Sequence, residues 1–119
     1  MQGDKKSGTL ATGKHFLGYS ETQAGLNTAP RVWVTGNCTT VLPRRSKRRS
    51  KDAGLSVIMT SYSEIDGIPC GANKRLSEKL LRERLGFDGL VVSDGAAVWK
   101  LFDTYHVAKN LRGSGASRH

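Results

Sequence analysis

The sequence predicts an α/β fold built on short parallel strands, and three observations carry that expectation. Leu90, Val91 and Val92 form an uninterrupted apolar run of the kind found in a parallel strand buried on both faces. Two further segments, Thr9–Phe16 and Leu55–Tyr62, likewise set an apolar run ahead of polar side chains. Stretches with helical spacing precede and follow the Leu90 run, so strands alternate with helices along much of the chain.

The elements follow in order. Thr9-Leu-Ala-Thr-Gly-Lys-His-Phe16 places Lys14 and His15 at a strand end. Gly18 to Pro30, rich in Gly, Thr and Asn, reads as a long loop, and Val41 to Asp52, with a Pro and a charge run, also reads as loop. Leu55 to Tyr62 forms the second strand, carries Met59 and Tyr62 at its end, and runs into the turn Glu64-Ile-Asp-Gly67. Ser77 can cap a helix through Leu85, with Leu80, Leu81 and Arg84 at helical spacing and Gly86 as the stop. Its Lys and Arg residues are expected on a solvated outer face. A last helix, from about Ala96 to Leu111, gathers Val98, Leu101, Phe102, Tyr105 and Ala108 on one face. Trp99 and His106 fall near its edges and read as structural. Asp94 stands between the third strand and this helix. Locally it reads equally well as a helix N-cap or as a carboxylate delivered to the strand end, where enzymes built on parallel strands place their chemistry.

Three strings decide between those readings: "LATGKHFLGYSETQAGLNTAP" from Leu10, "LSVIMTSYSEIDGIPCGAN" from Leu55 and "LLRERLGFDGLVVSD" from Leu80. Together they resemble glycoside hydrolase family 3, in the family's order and at nearly its spacing. The resemblance covers most of the chain, and the KHF and GFDG-VVSD signatures are specific to it. It implies a (β/α)8 barrel, a retaining β-glycosidase activity of the β-glucosidase kind and a carbohydrate substrate. It makes Asp94 the nucleophile, has Lys14 and His15 hydrogen-bond the sugar hydroxyls, and has Met59 and Tyr62 line the subsite. The roles suit the groups: a carboxylate can form a glycosyl-enzyme, an ammonium only donates, and an imidazole donates or accepts. Lys14 would also help keep Asp94 ionised. The chain departs from the pattern at Gly95, where many members carry an aromatic residue that stacks on the sugar.

A barrel of this kind takes roughly 250 residues, and 119 are enough for only about three strand–helix units. The chain is therefore expected to be an incomplete barrel over residues 1–112 with a tail over 113–119. Its start reads as internal to the family pattern. The acid/base residue that a retaining mechanism also needs is expected from elsewhere, so the chain alone should be inactive.

The formal charge of +9 suggests nucleic acid or an acidic surface as partner. Six of the positive residues form one run, Arg44, Arg45, Lys47, Arg48, Arg49 and Lys51, and +9 less these six leaves an unremarkable +3. The run supports an alternative identity as a small basic protein that binds nucleic acid or acidic partners. A frame error accounts for it better. Arg and Ser codons can begin CG and TC, and Lys codons begin AA. Shifted by one base, Arg44 to Lys51 permits Pro-Pro-Phe-Glu-Ala-Ala-Ile-Lys, and Trp33 to Thr39 permits Val-Gly-Asp-Arg-Glu-Leu-Tyr. Both strings resemble what the family has at this place, so residues from about 32 to 51 are expected to be out of frame, and no nucleic-acid partner is expected. The last residues, 113–119, allow a second shift or an ordinary terminus.

Other chemistries find little support. Cys38 and Cys70 give neither a disulfide framework nor zinc spacing, and His15, His106 and His119 show no metal-ligand pattern. No cofactor or metal is expected. No apolar run approaches membrane-spanning length, and no signal peptide is recognisable.

Overall fold

A parallel sheet forms where the apolar runs predict it. The computed structural model describes residues 7–19, 22–31 and 54–110. The stretch 32–51, with its basic run, and the tail 113–119 lie outside these. The strands are β1 (Thr12–Phe16), β2 (Pro30–Arg31), β3 (Val57–Thr60), β4 (Glu64–Ile65), β5 (Ile68–Pro69) and β6 (Leu90–Val92). Helix α1 (Arg75–Arg84) precedes β6 and helix α2 (Ala97–Asp103) follows it, and single 3₁₀ turns occupy Gln23–Gly25 and Cys70–Ala72.

The main sheet has the order β1-β3-β6, all parallel. Val57, Ile58 and Met59 pair with Leu90, Val91 and Val92. On the other side Gly13 pairs with Ile58 and Phe16 with Thr60, so β1 carries one residue more than its partner across Lys14 and His15. Such a bulge bends the strand and re-aims side chains, and it falls where the chemistry is expected. The second sheet, β2-β4-β5, is small. Its β4–β5 hairpin turns on Asp66 and Gly67 with φ of 52° and 76°, the positive values a two-residue Asp-Gly hairpin turn requires.

The core lies between the main sheet and α1. Phe16, Leu17, Ile58, Ile65, Cys70, Leu76, Leu80, Leu81, Leu85 and Phe87 form one buried cluster, with Leu55 and Val91 packed against it. Gly89 lets two chain segments meet beside this core: a Cβ there would collide with the Ser56 carbonyl oxygen and the Phe87 ring. The Leu90 N–H donates to that same Ser56 oxygen at 2.9 Å and sets the entry to β6.

Both helices differ from the sequence expectation, for local reasons. α1 starts at Arg75 rather than after Ser77. Asn73, not Ser77, satisfies its first turn: the Asn73 Oδ1 accepts the Leu76 N–H at 3.3 Å, and its carbonyl accepts from Leu76 and Ser77. The helix is wound with the wider π repeat, and its end bond runs from the Leu85 N–H to the Leu80 carbonyl at 2.9 Å. Leu76, Leu80 and Leu81 are buried by this winding, and Arg84 is exposed. Arg82 also does more than face solvent, since its guanidinium donates to the carbonyls of Phe87 and Gly89 at 2.9 and 2.7 Å and ties α1 to the entry of β6.

α2 spans 7 residues and ends at Asp103, well short of the expected Leu111. His106 takes a left-handed φ of 51°, and the N–H groups of Val107 and Ala108 fold back onto the Leu101 carbonyl. The reversal breaks the expected apolar face. Ala97 and Leu101 are buried, whereas Val98, Trp99 and Phe102 are exposed.

Candidate functional site

Parallel strands present their C-terminal ends on one edge, so β1, β3 and β6 deliver His15, Tyr62 and Asp94 to the same place. His15 Nε2 stands 3.3 Å from Asp94 Oδ2, a separation at which a protonated imidazole pairs with a carboxylate. Both side chains are mostly enclosed but reachable, 17% and 23% exposed. The other carboxylate oxygen, Oδ1, accepts the Gly95 N–H at 2.6 Å.

These contacts bear on the capping reading of Asp94. α2 is preceded by Ala96 at the cap position, with no side-chain capping bond. The Asp94 main-chain carbonyl accepts the Ala97 N–H at 2.9 Å, while the carboxylate turns toward Gly95 and His15. The carboxylate therefore does not cap the helix.

Tyr62 is held from several sides. Its Oη accepts the Ala96 N–H at 3.1 Å, two residues beyond Asp94. Its carbonyl accepts the Tyr105 hydroxyl, and the Lys100 ammonium lies 5.4 Å from its ring centroid. The flanking Ser61 and Ser63 are 1% and 0% exposed, and their hydroxyls share a hydrogen bond of 2.7 Å. The Ser61 N–H donates to the Phe16 carbonyl at 2.7 Å, fastening the β3 exit to the end of β1. Buried polar groups satisfied in this way rigidify their surroundings.

Burial first, then the neighbouring Glu64, Cys70 and Tyr62, push the Tyr105 phenol up to about 12 from an ordinary 10.0. The sign of the linkage follows from a folded value above the unfolded one. The contribution to stability is complete below pH 10.0 and is lost as pH rises from there through about 12. Denaturation midpoints measured across that window should fall in the wild type, and fall less in Tyr105→Phe.

The remaining sequence candidates divide. Lys14 shares the β1 bulge with His15 but is exposed, and among the described residues no ion pair joins it to Asp94. Among the described residues the ion-pair partner of Asp94 is His15. Met59 is half-buried on β3, in register with Val92. Gly95 leaves open space, since a Cβ there would meet nothing within 4 Å. Tyr19 was not singled out from the sequence, yet its ring lies 4.5 Å from that of His15 at 40°. A recess of about 470 Å³ bounded by Gly54–Ser56 and Gly86–Gly89 lies at the opposite, N-terminal ends of β3 and β6 and is unrelated to Asp94. Among the described residues no cluster suits a metal ion.

Comparison with known proteins gives the arrangement a context. The sequence model described as "Glycosyl hydrolase family 3 N terminal domain" matches residues 1–114. A β-xylosidase of Formosa agariphila is 34% identical over 101 residues, covering 85% of this chain and 14% of that protein. A β-hexosaminidase of Methylobacillus flagellatus is 35% identical over 98 residues, covering 79% of this chain and 28% of its own length. The crystal structure of a β-glucosidase from Listeria innocua in complex with isofagomine superposes with a TM-score of 0.83 at 28% identity, over 92% of this chain and 15% of that one. The chain thus spans between about a seventh and under a third of the length of these relatives.

Proposed function

The chain belongs to glycoside hydrolase family 3 and has the fold of part of its barrel, and from that premise we propose that it carries the nucleophile half of a retaining glycosidase site. The observation that supports this best is the Asp94 carboxylate at a parallel-strand end, released from helix capping and facing His15 at 3.3 Å. Asp94 attacks the anomeric carbon of a β-glycoside. The bond from that carbon to the aglycone oxygen breaks, and the oxygen takes a proton from the acid/base residue. Water, deprotonated by the same residue, then attacks the glycosyl-enzyme and frees Asp94.

In this reading His15 and Lys14 donate to sugar hydroxyls, and Tyr62 and Met59 wall the subsite. The substrate is a carbohydrate, and we favour a β-glucoside. The reaction also needs an acid/base carboxyl, which this reading does not assign to any residue of the chain. Loss of a general acid or base alone typically costs about 10²–10⁴-fold. The purified 119-residue chain should therefore hydrolyse an aryl β-glucoside no faster than buffer. Robust turnover that survives Asp94→Ala would overturn both the partial-site reading and the nucleophile assignment.

A further inference from the structure

We propose that Tyr105 and Lys100 are positioning residues that lock Tyr62 to the Asp94 turn, a proposal that rests on the reading of Asp94 as the nucleophile. Asp94 and Tyr62 leave adjacent strands, β6 and β3, and nothing in the sheet itself fixes the two exits relative to one another beyond Met59 and Val92. α2 supplies that link. It begins three residues after Asp94 and, with the residues flanking it, touches Tyr62 at three separate points. The Ala96 N–H reaches the phenol oxygen at 3.1 Å, the Lys100 ammonium sits 5.4 Å from the ring centroid, and the Tyr105 hydroxyl donates to the main-chain carbonyl.

Each contact constrains a different freedom. The Tyr105 bond fixes the main chain of Tyr62 across a separation of 43 residues. Lys100 lies over the ring and favours one of its faces, as a cation over an aromatic quadrupole does. The Ala96 N–H occupies a lone pair of the phenol oxygen, which leaves the phenol's own proton to be donated into the site. Because the three contacts come from Ala96 to Tyr105, the short stretch that follows Asp94 and contains α2, they tie Tyr62 to the turn that carries the carboxylate. A phenol is protonated throughout the ordinary pH range, and burial pushes Tyr105 further up, so the donor is constant. Neither residue has to touch substrate to act this way.

The test is titration of the ¹⁵N-labelled full chain with isofagomine, an iminosugar whose ammonium pairs with a nucleophile carboxylate. It is run well below the unfolding temperature of every variant, so that lost stability does not enter. Wild-type chain should bind, with shifts at the Gly95 and Ala96 amides, and Asp94→Asn should abolish binding. Tyr105→Phe, which removes one hydrogen bond and keeps the ring, should weaken binding about fivefold. It should also shift the Ala96 amide resonance in the ligand-free chain, a signature that mere loss of stability would not produce. Lys100→Met should weaken binding about threefold, and Lys100→Arg, which keeps a cation over the ring, should restore it. If Tyr105→Phe and Lys100→Met bind as wild type with the Ala96 amide unmoved, while Asp94→Asn loses binding, the positioning proposal is overturned and the nucleophile reading stands. Equal weakening in Lys100→Met and Lys100→Arg would overturn the role of the Lys100 charge. Undiminished binding in Asp94→Asn, or none in the wild type, would overturn the nucleophile reading and the proposal with it.

Discussion

Grafting residues 54–110 in place of the matching segment of the Listeria innocua β-glucosidase should leave an active enzyme, and Asp94→Ala in that chimera should lower kcat by about 10⁴–10⁶-fold, the scale on which removal of a covalent nucleophile acts. The segment contains β3, α1, β6 and α2 with Tyr62, Asp94, Lys100 and Tyr105, and no stretch outside the described residues interrupts it. The loss belongs in kcat because alanine still leaves the sugar-binding contacts but offers the anomeric carbon no oxygen. An active chimera indifferent to Asp94→Ala would remove the carboxylate from the mechanism.

The second large effect is on stability. Leu81 is 1% exposed and sits in the buried cluster between α1 and the sheet. Leu81→Ala should cost about 3–5 kcal/mol, because the lost transfer free energy is joined by a cavity that the π-wound helix cannot close. Against a typical total of roughly 5–15 kcal/mol that is a large fraction, readable as a shift in the urea midpoint. The comparison variant is Lys79→Ala. It removes only the exposed 2.9 Å pair with Glu83, which solvent screens, so the midpoint should barely move. Similar losses in the two variants would contradict the placement of the core.

Strands and site were legible in the sequence to different depths, for physical reasons. The apolar run Leu90-Val91-Val92 does form a parallel strand, and strand direction places the carboxylate just past it, but the expectation of burial on both faces fails: β6 lies at the edge of the described sheet, with Leu90 exposed and Val91 and Val92 only half-buried. The resemblance carried His15 and Tyr62 to the same edge, and the geometry brings them there. What local pattern could not show was anything that depends on a partner. The β1 bulge exists only relative to β3, so the different surroundings of Lys14 and His15 were hidden. The start of α1 hinges on the Asn73 side chain reaching the Leu76 N–H, and the helical spacing of Leu80, Leu81 and Arg84 does not distinguish a π repeat from an α repeat. α2 stops because the chain reverses at a left-handed His106, a conformation the residue type does not announce. Tyr105 had been placed on an apolar helix face, but its ring and hydroxyl serve a residue 43 positions earlier.

The central claim is that the Asp94 carboxylate is a glycosidase nucleophile, and covalent trapping tests it most directly. In 2-deoxy-2-fluoro-β-glucosyl fluoride the leaving fluoride needs no general acid, so the first step does not depend on an acid/base residue, and the fluorine at carbon 2 slows release of the glycosyl-enzyme. Incubation of the full chain with this reagent, followed by proteolysis and mass spectrometry, should place one 2-fluoroglucosyl group on the Asp94 carboxylate and none in Asp94→Asn. A label on any other residue, a label that persists in Asp94→Asn, or no label at all would contradict the assignment.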